Sequence, residues 1–225
     1  MRKRWKFLLC TVVAWRVAAA MAADPVELTE KAYAAEGQRK GTILLQVNWG
    51  RTWHCGKYEN AQLQQLSFSK LPFEPAEKGT KDVRLSGGPK LLAGNVFQPY
   101  ALLIEPGEYA ISEFDVKIAG SVTDIGHAHG DRSTLIRDGK AVGGTFSVAP
   151  GEIVYIGHFG VDCSGEPMLW RYYVEGRQEF DRYVLGFHER FPFTKDTPVV
   201  FRLFATDVFG KPYDLTDVPA GQTGN

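Results

Sequence analysis

The sequence predicts a mainly β fold, an antiparallel β-sandwich with one C-terminal amphipathic helix. Three observations support this prediction. Apolar runs of strand length recur between residues 41 and 204, turns rich in glycine and proline separate them, and one segment near the C-terminus changes to helical spacing. Many short strands joined by such turns are typical of sheets that pack face to face.

Each expected strand is an apolar or alternating run bounded by turn residues. In the fifth strand Phe114, Val116 and Ile118 alternate with polar residues. Ser112-Glu113 shifts the phase of that alternation, which indicates a β-bulge. The segment 50–60 is polar and is expected to form a turn. The predicted strands are 42–49, 63–71, 82–85, 100–104, 109–118, 144–148, 153–159, 168–174 and 197–204.

Two of the turns share one sequence. Glu105-Pro106-Gly107-Glu108 and Ala149-Pro150-Gly151-Glu152 each lie between two predicted strands. Proline fixes φ at the second position of a type II turn, and glycine supplies the positive φ of the third. We therefore expect two hairpins in an antiparallel sheet, with Glu108 and Glu152 at equivalent positions.

The two units resemble bacterial secreted or lipid-anchored β-sandwich proteins of unknown function. In those proteins a Pro-Gly-x-Tyr hairpin precedes a Pro-Gly-Glu strand. The matching segments here are Pro106–Tyr109 and Val148–Gly157, and the similarity covers residues 95–160. The resemblance implies a cell-envelope β-sandwich and no particular activity.

A helical pattern follows the last of the central strands. Phe180, Val184, Phe187 and Phe191 recur at i, i+4, i+7 and i+11, which predicts an amphipathic helix over 178–191. Pro192 is expected to end this helix.

The first 22 residues have the features of a secretory signal peptide. Met1–Lys6 is basic, an apolar run follows, and Ala20-Met21-Ala22 fits a small-x-small cleavage site. A retained membrane anchor is the alternative, but a span needs about 20 apolar residues and Arg16 interrupts this run. We expect a periplasmic or secreted protein with no membrane span after cleavage.

The sequence divides into four predicted segments: a signal peptide at 1–22, an N-terminal leader at 23–40, a single β-sandwich domain at 41–213 and a loose tail at 214–225.

The net charge of the chain changes when the signal segment is removed. The whole chain has 26 basic and 26 acidic residues, but the signal segment holds five of the basic ones, so the remainder has a formal charge of −5. An acidic protein lacks the basic footprint that phosphates require, which argues against nucleic-acid binding.

The cysteine content agrees with export. Cys10 lies in the signal segment, which leaves Cys55 and Cys163. An even pair in an oxidising compartment indicates one disulfide, here closing a long loop. The alternative is a pair of reactive or metal-binding thiols, with His54 and His158 completing a Cys₂His₂ site.

The strongest candidate for a functional site in the sequence is the segment from His127 to Arg132, which could bind metal. Two histidines at i and i+2 of an extended segment point to one side, as metal binding requires. The run resembles the His-x-His-x-Asp-His signature of the metallo-β-lactamase superfamily, which implies that His127 and His129 bind one zinc ion and Asp131 a second. Arg132 stands where that signature has its last histidine.

A catalytic zinc also needs a third protein ligand and an open position for water. The candidates for that ligand are His158, His188 and a free Cys163. The alternative is that the two histidines are solvated in a loop between glycines.

For function, the sequence favours a non-enzymatic exported β-sandwich, a binding or structural module without a cofactor, whose partner or ligand in the envelope is unknown. The alternative is a metal-binding protein or zinc-dependent hydrolase centred on His127, His129 and Asp131. The chain has no Gly-x-Ser-x-Gly elbow, phosphate loop or dinucleotide fingerprint. A sugar-binding strip of Trp170, Tyr172 and Tyr173 is an alternative, but successive strand residues alternate faces, so one of Tyr172 and Tyr173 must face the core, and core packing is expected.

Overall fold

The computed structural model describes residues 26–72, 82–87, 97–138, 140–202, 208–210 and 215. The predicted signal peptide, most of the predicted tail and parts of the loop at 72–95 lie outside the described residues. The strands are β1 (Val26–Glu27), β2 (Gly41–Asn48), β3 (Thr52–Cys55), β4 (Tyr58–Lys70), β5 (Val83–Ser86), β6 (Phe97–Ile104), β7 (Gly107–Ala119), β8 (Ile125–Gly130), β9 (Ile136–Arg137), β10 (Lys140–Ala141), β11 (Thr145–Val148), β12 (Ile153–Asp162), β13 (Met168–Tyr172) and β14 (Val199–Phe201). The helices are α1 (Glu30–Glu36), α2 (Arg132–Leu135) and α3 (Gly176–Arg190).

The described strands form two six-stranded sheets and a small ribbon of β9 and β10. The first sheet has the order β1-β6-β2-β12-β13, with β14 also paired to β12. The second has the order β11-β7-β4-β3, with β5 beside β4 and β8 beside β7. The predicted mainly β class with a helix is confirmed. The first sheet is mixed, because β12 runs parallel to both β2 and β14.

The two sheets face each other across a shared apolar core, an arrangement compatible with the predicted sandwich. Phe159 of β12 packs edge-on against Phe68 of β4, with ring centroids 5.5 Å apart. Phe68 in turn meets Phe146 of β11 at 5.7 Å. Complete burial of one such ring stabilises the fold by about 1.5–3 kcal/mol, so this aromatic contact is a main link between the sheets.

Helix α3 covers the outer face of the first sheet. Its predicted apolar stripe is confirmed: Phe180, Val184, Phe187 and Phe191 all belong to one cluster that also contains Tyr155 of β12. The helix ends before a short 3₁₀ turn at Pro192–Thr194, as the proline predicts.

The described part of the segment predicted as a leader belongs to the fold. Strand β1 pairs with β6, and Leu28 is buried in the cluster against which Ala32 and Tyr33 of α1 pack. Thr29 caps α1 by accepting a hydrogen bond from the N–H of Ala32. Tyr33 packs against Phe193 beside α3. The described fold therefore includes residues that precede Gly41.

The two Pro-Gly-Glu units are corners between the sheets, so the prediction of two hairpins is wrong. The first leads from β6 in the first sheet to β7 in the second, and the other leads from β11 in the second sheet to β12 in the first. Because β11 pairs with β7 and Val148 lies opposite Gly107, the corners are neighbours. Turn residues specify where the chain changes direction. The sheet that the next strand joins is decided by which face of that strand is buried.

Two local predictions have opposite outcomes. The bulge at Ser112 is confirmed: Ser67 pairs with Glu113 and Phe68 with Ile111, which leaves Ser112 as the extra residue. The segment 50–60 is not only a turn, because it contains β3 and the start of β4. This hairpin lies at a sheet edge and exposes polar side chains, so its composition resembles that of a loop.

Candidate functional site

A disulfide joins Cys55 to Cys163, as predicted. Cys55 ends β3 of the second sheet and Cys163 follows β12 of the first, so the bond links the two sheets. Near it, Glu166 accepts hydrogen bonds from Lys57 Nζ at 2.6 Å and the Tyr58 hydroxyl at 2.8 Å. The bond to Lys57 is the main cause of a lowered pKa of the Glu166 carboxyl. The oxidised protein therefore lacks the free thiols that a Cys₂His₂ site requires.

His127 and His129 lie on the exposed face of β8, while Ala128 between them packs against the core. This placement agrees with the expected geometry of positions i and i+2 on an extended segment. His127 Nδ1 is 2.9 Å from Asp115 Oδ1 and 3.0 Å from Oδ2. Asp115 lies on the neighbouring strand β7, so the carboxylate partner of His127 comes from that strand and is not Asp131.

Asp131 caps the short helix α2. Its Oδ1 accepts hydrogen bonds from the Ser133 hydroxyl at 2.6 Å, the Ser133 N–H at 2.9 Å and the Thr134 N–H at 3.1 Å. These bonds, with that from the Ser133 hydroxyl foremost, lower the pKa of the Asp131 carboxyl. Its other oxygen lies 4.0 Å from His129 Nε2. The aspartate that follows the histidines is thus explained by helix capping.

Among the described residues, no group of three or more His, Cys, Asp and Glu side chains is arranged to hold a metal ion. Cys163 is in the disulfide. His158 lies on β12 of the other sheet. His188 lies on α3, where its Nδ1 is 3.0 Å from Thr194 Oγ1. None of the third ligands suggested by the sequence is therefore brought to His127 and His129.

A polar cleft of 370 Å³ adjoins Asp131 on the second sheet. Arg132 Nη2 donates to Asp82 Oδ2 at 2.7 Å and to Ser69 Oγ at 2.8 Å. Arg84 lies 4.0 Å from Glu113. The cations of this cleft are thus engaged by its own carboxylates. The lining residues are Ser67, Asp82, Arg84, Ser112, Glu113, Asp131, Arg132 and Ser133.

A second cleft, which we call the α3 cleft, lies between α3 and the outer face of the first sheet and has a volume of 270 Å³. The sheet supplies Leu44, Gln46, Pro99, Tyr100 and Ala101, and the helical side supplies Arg182, Tyr183, Gly186, Phe187, Arg190 and Phe191. The Tyr100 hydroxyl accepts a hydrogen bond of 2.7 Å from Trp49 Nε1, which fixes that ring. The α3 cleft therefore combines an apolar floor with a basic rim.

Gly186 leaves the α3 cleft open at the middle of the helix. A Cβ added there would meet no other atom within 4 Å. A glycine in a helix interior is less favourable than alanine by about 1 kcal/mol. No close packing contact of the described residues therefore accounts for a glycine at this position.

The described lining of the α3 cleft consists of apolar side chains with amide, hydroxyl and guanidinium groups. Among the described residues that line it, none carries a carboxylate, an imidazole or a thiol. Burial raises the pKa of both Tyr100 and Tyr183, so both hydroxyls stay protonated at neutral pH. The cleft offers apolar surface, hydrogen-bond donors and positive charge.

His158 lies beside Tyr183 in an aromatic cluster that the sequence does not predict. Its ring centroid is 5.5 Å from those of Phe97 and Tyr155 and 5.8 Å from that of Tyr183. Burial lowers the pKa of His158 to about 4. Its Nε2 is buried without a hydrogen-bond partner in the described structure. The imidazole is therefore neutral at physiological pH.

Of the neighbouring tyrosines at the end of β13, Tyr172 is 38% exposed and Tyr173 is half-buried, so the two differ in exposure. The Tyr172 hydroxyl donates to the carbonyl of Val161 at 2.8 Å. Arg171 is buried instead, with its guanidinium 4.8 Å from the ring of Tyr173, and burial lowers the pKa of Arg171. Alternate residues of a strand point to the same face, so Arg171 is expected on the same face as the buried Leu169, two positions earlier.

Comparisons with known proteins add no function to this geometry. The chain matches no protein-family model, no curated protein and no solved structure. Within the described residues, none of the helices is both long enough and apolar enough to cross a membrane.

Proposed function

We propose that this chain is an exported, non-enzymatic binding module and that the α3 cleft is its ligand site. The observation that carries the proposal is the open space at Gly186, in a cleft lined by one face of α3, an apolar sheet surface and two arginines. Concave, largely apolar sites with a few polar groups are the usual binding places for small ligands.

Export is supported by two independent features. The N-terminal 22 residues combine a basic start, an apolar run and a small-x-small end. The Cys55–Cys163 disulfide is typical of oxidising compartments such as the periplasm or the cell exterior. A ligand of such a protein is met in the cell envelope or outside it.

Binding is favoured over catalysis by what lines the α3 cleft. The two tyrosines keep their protons, and arginine does not release its own near neutral pH. A general acid–base step needs a group whose pKa lies near the working pH. The lining instead supplies groups that orient and retain a ligand.

The test is binding of small amphiphilic probes to the purified oxidised protein. Octanol, octanoate and octylammonium are added separately below their micelle concentrations, and the thermal midpoint is measured with a ¹H–¹⁵N spectrum to locate the contact. A ligand that binds only the folded state raises the midpoint. We expect at least one probe to do so and to shift the amide signals of Leu44, Ala101 and Phe187.

The matched variants place a phenyl ring at two open glycines. Gly186→Phe fills the α3 cleft, and Gly126→Phe adds the same ring on β8, where a Cβ also meets nothing within 4 Å. Loss of probe binding in Gly186→Phe with retention in Gly126→Phe supports the proposal. Absence of binding by all three probes, or unchanged binding by Gly186→Phe, contradicts it.

A further inference from the structure

One face of α3 presents two cations on either side of an open position. Arg182, Gly186 and Arg190 stand at i, i+4 and i+8, so they lie above one another along the helix. The backbone positions of the two arginines are roughly 12 Å apart at 1.5 Å per residue. Both arginines line the α3 cleft together with Gly186. The guanidinium carbon of Arg190 also lies 5.2 Å from the centre of the Phe191 ring.

The acidic partners of these arginines are exposed. Arg182 Nη1 is 2.6 Å from Glu179 Oε1, and Arg190 Nη2 is 3.9 Å from Glu27 Oε1. The side chains in these pairs are between 46% and 75% exposed. Exposed pairs of this kind contribute about 0–1 kcal/mol, so an entering anion displaces them at little cost.

The interior of the α3 cleft suits a short apolar group. Leu44, Ala101 and Phe187 supply aliphatic and aromatic surface. A volume of 270 Å³ corresponds to about nine groups of water size at about 30 Å³ each. This is room for a ligand of about ten non-hydrogen atoms and too little for a long acyl chain.

We propose that the ligand of the α3 cleft is a short amphipathic carboxylate, with its apolar part against Leu44 and Phe187 and its carboxylate between Arg182 and Arg190. This inference rests on the proposed function and names the ligand class for the same site. The planar guanidinium matches a carboxylate in a two-point hydrogen-bonded contact that an ammonium does not reproduce.

The experiment is calorimetric titration of the oxidised protein with octanoate, octanol and octylammonium, which share one chain and differ in head group. We expect octanoate to bind at least tenfold more tightly than octanol, and octylammonium not to bind measurably. Arg182→Gln and Arg190→Gln are each expected to weaken octanoate binding roughly tenfold and to leave octanol binding unchanged. Arg182→Lys is expected to restore part of the octanoate affinity.

The control variant is Arg177→Gln. Arg177 lies on the same helix and has an exposed partner, Asp181, at 3.9 Å, but it does not line the α3 cleft. It is expected to bind octanoate as the unaltered protein does. Equal losses in all three glutamine variants would indicate a nonspecific effect of net charge and overturn the assignment.

The remaining outcomes separate this inference from the proposed function. If octanol binds as tightly as octanoate and Gly186→Phe abolishes both, the cleft binds ligands but the carboxylate class is wrong. If no probe binds and size-exclusion chromatography shows a dimer that Gly186→Phe dissociates, the α3 cleft is an interface between copies and both proposals fail.

Discussion

Arg202 and Glu152 form a two-point ion pair across 50 residues of sequence. Nη1 of the arginine lies 2.7 Å from Oε2 of the glutamate, and Nη2 lies 2.7 Å from Oε1. Arg202 Nη1 also donates to the carbonyl of Ser147 at 2.8 Å, and Glu152 accepts the N–H of Ala149. The pair therefore fastens the chain after β14 to the corner between β11 and β12.

The first prediction compares this glutamate with its counterpart in the other corner. Glu152→Gln is expected to lower the free energy of unfolding by about 1–3 kcal/mol, because it removes a charged partner from a half-buried contact. Glu108 is exposed, and its side chain accepts a hydrogen bond from the Thr145 hydroxyl without an ion pair in the described structure, so Glu108→Gln is expected to change stability by no more than about 0.5 kcal/mol. Urea unfolding at pH 7 measures both.

The effect of Glu152→Gln depends on pH. Burial raises the pKa of the Glu152 carboxyl, but the bonds from Arg202 and Ala149 outweigh it, so the pKa lies below its usual 4.5. Such a group stabilises the fold above its unfolded pKa, and this contribution disappears as pH falls through the folded value. The difference between Glu152→Gln and the unaltered protein should therefore shrink below pH 4.5. A constant difference down to pH 3 would show that the charge is not responsible.

The second prediction concerns the disulfide. Replacing both Cys55 and Cys163 by alanine is expected to lower the unfolding free energy by about 4–5 kcal/mol, since the bond closes a loop with a sequence separation of 108. The unaltered protein under reducing conditions should unfold at nearly the same urea concentration as this variant. A loss of less than about 1 kcal/mol would mean that the unfolded chain gains little freedom when the bond is absent.

The sequence predicts local structural features where the spacing or type of the residues determines the structure that forms. The helical stripe from Phe180 to Phe191, the bulge at Ser112 and the disulfide follow from spacing, phase and cysteine count. The pairing of strands that are far apart in sequence does not follow from such rules. Gly107 and Gly151 occupy the same position in one motif, but their corners lead the chain between the sheets in opposite directions.

The candidate site was harder to predict for the same reason. The residues at 182, 186 and 190 share one helix face, and this spacing can be read from the sequence. The opposing wall, Leu44 and Ala101, comes from β2 and β6, and only the folded chain shows which strands lie beneath the helix. The histidine motif can be read from the sequence because its residues are adjacent, whereas Asp115, the partner of His127, lies on another strand.

The third prediction tests the open space at Gly186. Gly186→Ala is expected to raise the free energy of unfolding by about 0.5–1 kcal/mol, because alanine has the higher helix propensity and its Cβ meets no atom within 4 Å. Gly157→Ala is the contrasting variant. Gly157 has φ of +109° and a Cβ there would lie 3.0 Å from the Tyr172 carbonyl oxygen, so a loss of at least about 1 kcal/mol is expected. Destabilisation by Gly186→Ala would show that the space is occupied.

The fourth prediction is a pH dependence that originates at His158. Its pKa is about 4 in the folded protein, below the 6.5 of an ordinary histidine, because burial disfavours the charged imidazole. Between these values the unfolded chain binds the proton more strongly, so stability falls as pH drops from 6.5 towards 4. His158→Phe keeps an aromatic ring in this position and removes the titration. The unaltered protein should therefore lose about 2 kcal/mol more stability than His158→Phe when the pH is lowered from 7 to 4.5.

His129→Gln is the control for this measurement, because His129 is half exposed on β8 of the second sheet, whereas His158 lies on β12 of the first. The fall in stability that originates at His158 should persist in this variant. An imidazole titration followed by NMR tests the cause directly, with the midpoint of the His158 signals expected near pH 4. A midpoint near 6.5 would mean that water reaches the ring, and the aromatic surroundings would then not exclude its charge.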